Sequence, residues 1–323
     1  MSILQDIIKT STSLGDLQRV RGLGVIPILA KEAPEIPVLE PLERALERGS
    51  ARITETGLAG EVPFLLLKNT GDRPIIILDG EEVVGGKQNR IINTTLVILA
   101  NTKLKIPVSC IQSGRWRHQR AYFDSSGSVF RARSRAVQKA TVTASVRESG
   151  GFRSDQSAVW DEVSTSLHEL GVNSATSDFR EAGEKVAHKL EKFVEAIRPV
   201  ENQIGAIFIN AQGILGLEIL GTPPLFSQVC DKVIKSFAFE VLGAPDLNGA
   251  YVEAATQWWD KVLQSRFTRH ASPAAGEDIR VGTEDLIGSG LIWNDVLAHF
   301  SCFPNLRMAR RPNHRRASAG QQR

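Results

Sequence analysis

Short apolar segments separated by turn residues fill the first third of the chain. They span residues 51–54, 62–68, 74–78, 90–93, 95–99, 103–108 and 110–112, and they are rich in β-branched side chains. The separators are short Asn, Asp and Gly turns, such as Asp79-Gly80 and Gly85-Gly86. Connections this short cannot hold crossover helices, so neighbouring strands should pair antiparallel. Residues 16–116 are therefore predicted to be β-rich, as an antiparallel sandwich or half-barrel.

Between residues 128 and 264 the apolar positions follow a helical spacing. The clearest helix is predicted over residues 178–197, where an apolar face repeats every three or four positions and Pro199 follows the end. Residues 128–146 fit both an alternating strand and a helix, and we favour the helix. Residues 122–127 before them are interpreted as a polar link. Residues 128–264 are therefore predicted to be helix-rich.

Further β structure is predicted at three places outside the short N-terminal segments. Residues 205–220 have the pattern of a β-hairpin, and strands return over residues 278–303. The apolar segment 23–29 contains Pro27, whose missing N–H favours an edge strand. The expected fold class is α+β, with residues 1–306 forming a single domain. In it, the helices and the hairpin of the C-terminal half pack on the N-terminal antiparallel β structure.

Composition limits the compartment and the chemistry. No stretch approaches the roughly 18 continuously apolar residues of a membrane span, and residues 1–10 lack the pattern of a secretory signal. The expected compartment is therefore the cytosol. Cys110, Cys230 and Cys302 stand far apart without a C-x-x-C pair, and the histidines show no metal-binding spacing. Neither a membrane span nor a metal site is predicted.

A basic tail follows residue 306. It contains six arginines and no acid, and removing these six charges from the net charge of +3 leaves −3 for residues 1–306. Residues 307–323 are predicted to be disordered because they contain almost no apolar side chains. We expect at most weak, non-specific contact between this tail and nucleic acid.

The densest polar segment is residues 79–90, with the sequence Asp-Gly-Glu-Glu-Val-Val-Gly-Gly-Lys-Gln-Asn-Arg. Gly85 and Gly86 would let backbone N–H groups approach a cofactor or ligand closely, and Lys87 and Arg90 lie within four residues of them. The order of residues matches neither a Walker loop nor a dinucleotide-binding loop. The segment is a candidate anion-binding nest. The alternative is that the glycines form turns and bulges while Lys87 and Arg90 face solvent.

The two adjacent carboxylates of this segment, Glu81 and Glu82, are candidate catalytic residues only if the protein is an enzyme. Neighbours in an extended chain point to opposite faces, so only one of them can reach a shared pocket and act as general acid or base. Cys110 is interpreted as a buried, unreactive thiol, and His299 as a core histidine with hydrogen-bond partners.

A second group of polar residues is interpreted as a ligand-binding surface. Arg115 can pair with an anion through its guanidinium group, and the ring of Trp116 offers a face to a planar ligand such as a nucleotide; the alternative is that both cap the sheet. The candidate ligand-binding residues are Lys87, Gln88, Asn89, Arg90, Arg115 and Trp116, and the candidate cofactor-binding residues are Gly85 and Gly86. No particular cofactor is indicated.

Three blocks of sequence together resemble a known family. Gly80-Glu81-Glu82-Val83-Val84-Gly85-Gly86-Lys87-Gln88-Asn89-Arg90 is followed by Ile106-Pro107-Val108-Ser109-Cys110 and Gly114-Arg115-Trp116. This pattern is similar to the signature of the ARG and rhodanese-phosphatase-superfamily-associated protein domain. Residues 205–226 resemble a second block of that family, so the likeness covers about residues 22–303. One position departs from the pattern: Gln112 stands where the family has Glu.

The resemblance implies a setting rather than a reaction. It points to association with ADP-ribosylglycohydrolase-type and phosphatase-like proteins, and so to ADP-ribose, NAD or nucleotide-phosphate processing. It carries over no catalytic residues. If the family Glu is catalytic, Gln112 implies an impaired member; if that Glu only forms hydrogen bonds, Gln112 can replace it.

Three functions are compatible with these observations. The leading hypothesis is an accessory or ligand-recognition domain that binds an anionic or nucleotide-like ligand in an ADP-ribose- or NAD-linked system. The alternative enzyme is a hydrolase of ADP-ribose derivatives or phosphoesters. The third hypothesis is a structural or interaction protein in which residues 79–90 brace the sheet. Binding and catalysis both require the candidate residues to converge on one pocket.

Overall fold

The computed structural model describes residues 4–8, 11–32, 36–57, 60–115, 120–247 and 251–305. The strands in these ranges are β1 (Thr12–Leu14), β2 (Gln18–Val20), β3 (Leu23–Ala30), β4 (Glu40–Pro41), β5 (Ala51–Thr54), β6 (Phe64–Asn69), β7 (Ile75–Ile77), β8 (Glu81–Gly85), β9 (Arg90–Ile92), β10 (Leu96–Ile98), β11 (Lys103–Cys110), β12 (Phe123–Val129), β13 (Gln203–Asn210), β14 (Gly213–Leu220), β15 (Thr268–Ala271), β16 (Glu277–Gly282), β17 (Leu286–Trp293) and β18 (Val296–Pro304). The helices are α1 (Leu4–Ile8), α2 (Leu42–Glu47), α3 (Ala132–Ser149), α4 (Gln156–Glu169), α5 (Phe179–Ala196), α6 (Pro223–Ala238) and α7 (Tyr251–Leu263). Trp116 and the basic tail 307–323 lie outside the described residues.

Six of the strands close into a barrel. Their order is β11-β6-β5-β12-β8-β9, and β9 pairs back onto β11 through Val108↔Ile92 to Cys110↔Arg90. Every pair in the barrel is antiparallel, as the short turns predict. The inside is filled by aliphatic side chains together with the ring of Phe123. The sequence anticipates the antiparallel pairing, and the structure adds complete closure of the barrel.

A nine-stranded antiparallel sheet lies beside the barrel. Its order is β1-β3-β13-β14-β18-β17-β16-β15, with β2 also paired to β3. The expected hairpin forms β13 and β14, and the returning strands form β16, β17 and β18. A third, small sheet of β10, β7 and β4 contains a parallel pair between β4 and β7.

Helix α5 begins and ends within one residue of the predicted 178–197. Asp178 caps α5 by accepting a hydrogen bond from Arg180 N, and Asp155 caps α4 by accepting from Ser157 N and Ala158 N. The ambiguous segment 128–146 is helical over most of its length, within α3. Residues 122–127 are not the polar link that we expected, because Phe123 begins β12, which pairs with β5 and β8.

Apolar side chains from these layers form three main cores. The largest lies where α3, α4, α5 and α6 pack against the large sheet, and the second lies under α1 and α7 on its other face. The third is the barrel interior. The α+β fold class is confirmed. In the described part of the chain, no helix is both long enough and apolar enough to cross a membrane.

Candidate functional site

Glu81 and Glu82 lie side by side on β8 and point in opposite directions. Glu81 Oε1 accepts hydrogen bonds from Lys232 Nζ of α6 at 2.8 Å and from Leu78 N at 3.2 Å. Glu82 lines a cavity of about 420 Å³ whose other walls come from β12 and α5. The alternation of side chains along a strand explains this division, because Val83, the next residue, fills the barrel interior. Of the two glutamates, only Glu82 can contact a ligand in this cavity.

Three cavities meet at Arg180, and we call them together the Glu82 groove. Their volumes are about 420, 250 and 340 Å³. The first lies over Glu82 and extends to Glu43 and Lys235, the second lies beside Arg120 on the β12 side, and the third opens at Asn89 and Arg115. The groove thus runs from the polar segment 79–90 to the surfaces of α5 and α6.

The carboxyl group of Glu82 is buried, with 3% of the residue exposed. Burial raises its pKa to about 7, and the negative charges of Asp178 and Glu184 act in the same direction, while Ser126 and Arg180 oppose them. Glu82 Oε1 has no hydrogen-bond partner among the residues that the structure describes. Glu82 therefore exchanges a proton near neutral pH and faces a space large enough for a ligand.

Among the described residues that line the Glu82 groove, acids outnumber bases. The acidic lining residues are Glu43, Glu82, Asp124, Asp178, Glu181, Glu184 and Glu191, and the basic ones are Arg115, Arg120, Arg180 and Lys235. Three of the cations form ion pairs with acids of the groove: Arg120 with Asp124, Arg180 with Glu184 at 2.7 Å, and Lys235 with Glu191 at 2.8 Å. The groove is therefore suited to a ligand that presents hydroxyl groups or positive charge to Glu82 and Glu43.

The loop after β8 is held from one side by Arg115. Its guanidinium donates to Gly86 O at 2.9 Å and to Gly85 O and Asn89 Oδ1 at 3.2 Å each. Asn89 Nδ2 in turn donates to Asp178 Oδ2 at 2.9 Å, which ties the loop to the N-terminus of α5. Arg115 and Asn89 line the outer cavity, but these hydrogen bonds already engage their polar groups.

Gly85 and Gly86 have steric reasons to be glycine. Gly85 has φ +135°, and a Cβ there would lie 2.4 Å from Tyr122 O. Gly86 has φ +44°, and its Cβ would lie 2.2 Å from Cζ of Phe123. Both positions let the loop pass close to β12. Gly85 also lines the cavity beside Arg120.

The remaining polar residues of the loop are buried beneath it. Arg90 has no exposed surface, and its Nη1 donates to Gln88 Oε1 at 3.2 Å. Lys87 is also buried, and its backbone N donates to Glu55 Oε1 at 2.9 Å. The alternative in which Lys87 and Arg90 face solvent is therefore wrong. They do not form a common open surface with Arg115.

Gln112 acts as a hydrogen-bonding residue at the base of this loop. Its Oε1 accepts from Arg115 Nε at 2.8 Å and from Asn89 N at 3.3 Å, while its Nε2 donates to Thr176 Oγ1 at 3.0 Å. Both ends of the amide are thus used. Glutamine satisfies this position without a negative charge.

A second polar cluster is closed within the core. Asp79 Oδ2 accepts from Lys139 Nζ at 2.8 Å, and Arg135 donates to both oxygens of Glu218 at 2.8 and 2.9 Å. His299 Nε2 lies 2.7 Å from Glu218 Oε1. Burial by itself raises the pKa values of Asp79 and Glu218, but the neighbouring positive groups outweigh it and hold both below their usual range.

This cluster has the ligand atoms for a metal ion, but those atoms already pair with buried arginine and lysine side chains. Ligand atoms of Asp79, Glu218 and His299 lie within 4.8 Å of one another. Arg135 and Lys139 donate to the same carboxylates and balance their two negative charges. We interpret the cluster as an ion network that joins α3 to the large sheet, with His299 as one of its hydrogen-bonded members.

The sequence did not reveal all the residues of the groove. Arg180 and Glu184 lie on exposed positions of a long helix and Lys235 on a half-buried position of another, where charged side chains are common and carry no signal. Asp178 was recognisable as the start of α5, but not as a partner of Asn89. Cys110 is buried, and burial raises the pKa of its thiol, as expected of an unreactive cysteine.

Comparison with known families assigns most of the chain to one family. The searches of curated proteins and of solved structures find no significant match. One family model matches residues 11–303, which include both the barrel and the large sheet. The family's name records association with ARG and with the rhodanese-phosphatase superfamily. The chain belongs to the ARG and Rhodanese-Phosphatase-superfamily-associated Protein domain family.

Proposed function

We propose that this protein recognises a nucleotide-like ligand in the Glu82 groove, as an accessory domain that works beside ADP-ribose- or NAD-processing proteins in the cytosol. The observation that carries the proposal is Glu82 Oε1, which is buried at the cavity wall without a hydrogen-bond partner among the described residues. Buried polar atoms are nearly always hydrogen bonded, so the unpaired Oε1 favours a ligand that supplies the missing hydrogen bond.

A ligand with a hydroxyl-rich part and an anionic part finds partners for both in the groove, although acids outnumber bases among its described lining residues. Glu82 and Glu43 suit ribose hydroxyls, and at neutral pH a protonated Glu82 can also donate a hydrogen bond. Arg180 is 45% exposed in its ion pair with Glu184, and surface pairs of this kind are weak enough for a phosphate to compete. ADP-ribose combines both parts in one molecule.

The loop residues contribute to this proposal in two ways. Asn89 and Arg115 form a wall of the outer cavity, where their side chains contact the ligand while their hydrogen bonds hold the loop in place. Trp116, the next residue along the chain, is a candidate for stacking on the base. Lys87, Gln88 and Arg90 support the loop from beneath. The candidate partners are ADP-ribosylglycohydrolase-type and phosphatase-like proteins, in keeping with the family's name.

A second function, hydrolysis of ADP-ribose derivatives or phosphoesters, is favoured by the pKa of Glu82. A carboxyl with a pKa of about 7 can act as general acid or base at neutral pH. In this function Glu82 alone, and not Glu81, moves the proton, because Glu81 is engaged by Lys232. Arg180 and Lys235 would stabilise phosphate charge.

The experiment is a titration of the purified protein with ADP-ribose, NAD and an ADP-ribosylated peptide, followed by thermal shift and by product analysis. Stabilisation without turnover supports recognition, and turnover supports the hydrolase. If neither signal is obtained, the groove has neither function, and the remaining role is that residues 79–90 brace the sheet.

Substitution of Gly183 tests whether the ligand occupies the groove. Gly183 lies in α5 at the cavity wall, and a Cβ there would meet only Cζ of Phe239, at 3.9 Å. Gly183→Leu should fill the cavity and abolish binding. Gly183→Ala is the matched control, since it favours the helix but leaves most of the space, so binding should stay within about threefold. Equal binding by both variants would place the ligand elsewhere.

A further inference from the structure

A second cavity, distant in sequence from the Glu82 groove, is lined by cations. It has a volume of about 530 Å³ and lies where the last turns of α3 and α7 approach strands β15 and β16. Four of its lining residues are basic: Arg147, Lys261, Arg266 and Arg280. The other lining residues are Gln264, Ser265, Phe267, Thr268, Gly282 and Thr283, and none of the ten is acidic. No residue lines both this cavity and the groove.

The Arg280 side chain is buried and only partly engaged. Its Nε donates to Asp278 Oδ1 at 2.6 Å, and its Nη2 donates to Asp278 Oδ2 and to Thr94 Oγ1 at 2.8 and 2.7 Å. Its Nη1 is buried without a hydrogen-bond partner among the residues that the structure describes. The side chain has no exposed surface, so its positive charge lies behind the cavity wall and attracts an anion without touching it.

Arg147 is seated against the backbone of β16. A Cβ on Gly282 would lie 2.9 Å from Arg147 Nη2 and 3.4 Å from its Cζ. The guanidinium therefore rests over a residue without a side chain, and any larger residue would displace it. This contact places one cation of the cavity directly against β16.

Neutral donors complete the cavity. Thr283 Oγ1 accepts hydrogen bonds from Leu286 N at 3.0 Å and from Asp285 N at 3.3 Å, which leaves its hydroxyl hydrogen to donate. Lys261 is paired with Asp285 at the rim, where both side chains are exposed, and such a pair exchanges readily for a bound anion.

We propose that this cavity is an oxyanion site for the phosphate or diphosphate group of a small molecule. Arginine side chains bind phosphate oxygens through paired N–H groups, and here two exposed arginines and a lysine line one cavity, with a buried third arginine in its wall. The volume exceeds that of a single phosphate ion, whereas a diphosphate with part of its substituent fits it. Arg147 and Arg266 bind the anion, and Thr283 donates to it.

The experiment measures pyrophosphate binding to the full chain by calorimetry at low ionic strength. The expected result is one site that is weakened at least tenfold by Arg147→Gln combined with Arg266→Gln. Arg52→Gln is the matched control, because it removes an exposed arginine from β5 of the barrel. That control should leave binding unchanged, which separates a built site from general positive charge.

Gly282→Ala and Gly183→Leu make the test specific. Gly282→Ala keeps every charge but displaces Arg147, so it should weaken pyrophosphate binding by severalfold while the thermal unfolding of the protein stays cooperative. Gly183→Leu fills the groove and should leave pyrophosphate binding unchanged, which keeps this site distinguishable from the proposed groove ligand. The proposal is overturned if the wild-type protein does not bind pyrophosphate at millimolar concentration. It is also overturned if Arg52→Gln weakens binding as much as the double variant, or if only an oligonucleotide binds.

Discussion

Glu81 and Glu82 are neighbours in β8, yet Glu81 Oε1 accepts a hydrogen bond from Lys232 Nζ at 2.8 Å while Glu82 lines an open cavity with its pKa raised to about 7. The two carboxyls are almost equally buried. Their surroundings differ: a cation from α6 pairs with Glu81, whereas burial and the charges of Asp178 and Glu184 raise the pKa of Glu82 against the opposing effects of Ser126 and Arg180. One glutamate forms an ion pair inside the fold, and the other lines the groove.

Glu82→Gln should raise stability at alkaline pH. Glu82 has its pKa raised above the ordinary value of 4.5, so the unfolded chain loses this proton first and stability falls as the pH rises from 4.5 to about 7. At about 1.4 kcal/mol per pKa unit, the loss approaches an upper value of about 3 kcal/mol. Urea unfolding should therefore show the variant to be more stable than wild type at pH 8 and equal to it near pH 4. A wild-type advantage at pH 8 would contradict this assignment.

Glu81→Gln should have the opposite effect. It leaves the Lys232 ammonium buried beside a neutral amide, and removing one partner of a buried pair costs about 3 to 5 kcal/mol. The same urea experiment at pH 7 measures this loss. The double variant Glu81→Gln with Lys232→Met removes both charges and should recover most of it. A single variant within about 0.5 kcal/mol of wild type would show that the ion pair does not form.

Gly86→Ala should destabilise the barrel much more than Gly49→Ala. Both glycines have positive φ, +44° and +70°, but only Gly86 lies against the Phe123 ring, while a Cβ on Gly49 would meet nothing within 4 Å. Backbone strain alone costs about 1 kcal/mol, and overpacking adds about 1 to 3 kcal/mol. Chemical unfolding of the two variants measures the difference. Equal losses would mean that the loop does not contact Phe123.

Gln112→Glu should be nearly neutral. A carboxylate keeps the acceptor for Arg115 Nε and Asn89 N, and the Thr176 hydroxyl can turn to donate to the second oxygen. We expect a change in unfolding free energy within about 1 kcal/mol and unchanged ligand binding. A gain of hydrolytic activity would instead identify this position as catalytic in the family.

The elements that could be read from the sequence are those whose buried face is apolar. The helix α5 was predicted almost to the residue because Phe179, Ala182, Val186 and Leu190 are its buried positions. The helix α3 was ambiguous because its buried positions include Arg135 and Lys139, whose ion network replaces the apolar stripe that marks a helix. Where the buried positions of a helix are polar, the apolar repeat that predicts the helix is missing from the sequence.

Long-range pairing accounts for most of what the sequence did not reveal. Pro27 predicted an edge strand, but β3 is paired on both sides: β13 lies along one side, and on the other β1 ends opposite Ile28 while β2 begins opposite Val25. Pro27 falls in the gap between them, which accommodates its missing N–H. In the same way, Glu82 was a candidate from its own segment, but the walls of its cavity come from β12 and α5, far along the chain.

The role of Glu82 in recognition is tested most directly by titrating its side-chain carboxyl by carbon NMR, in the presence and absence of ADP-ribose. Glu82→Gln assigns the signal. In the free protein the midpoint should lie near pH 7, because burial disfavours the charged form. Saturating ADP-ribose should displace this midpoint, since the ligand contacts the carboxyl. A midpoint near 4.5, or one near 7 that the ligand leaves unchanged, would contradict the proposal that Glu82 is the recognition group of the groove.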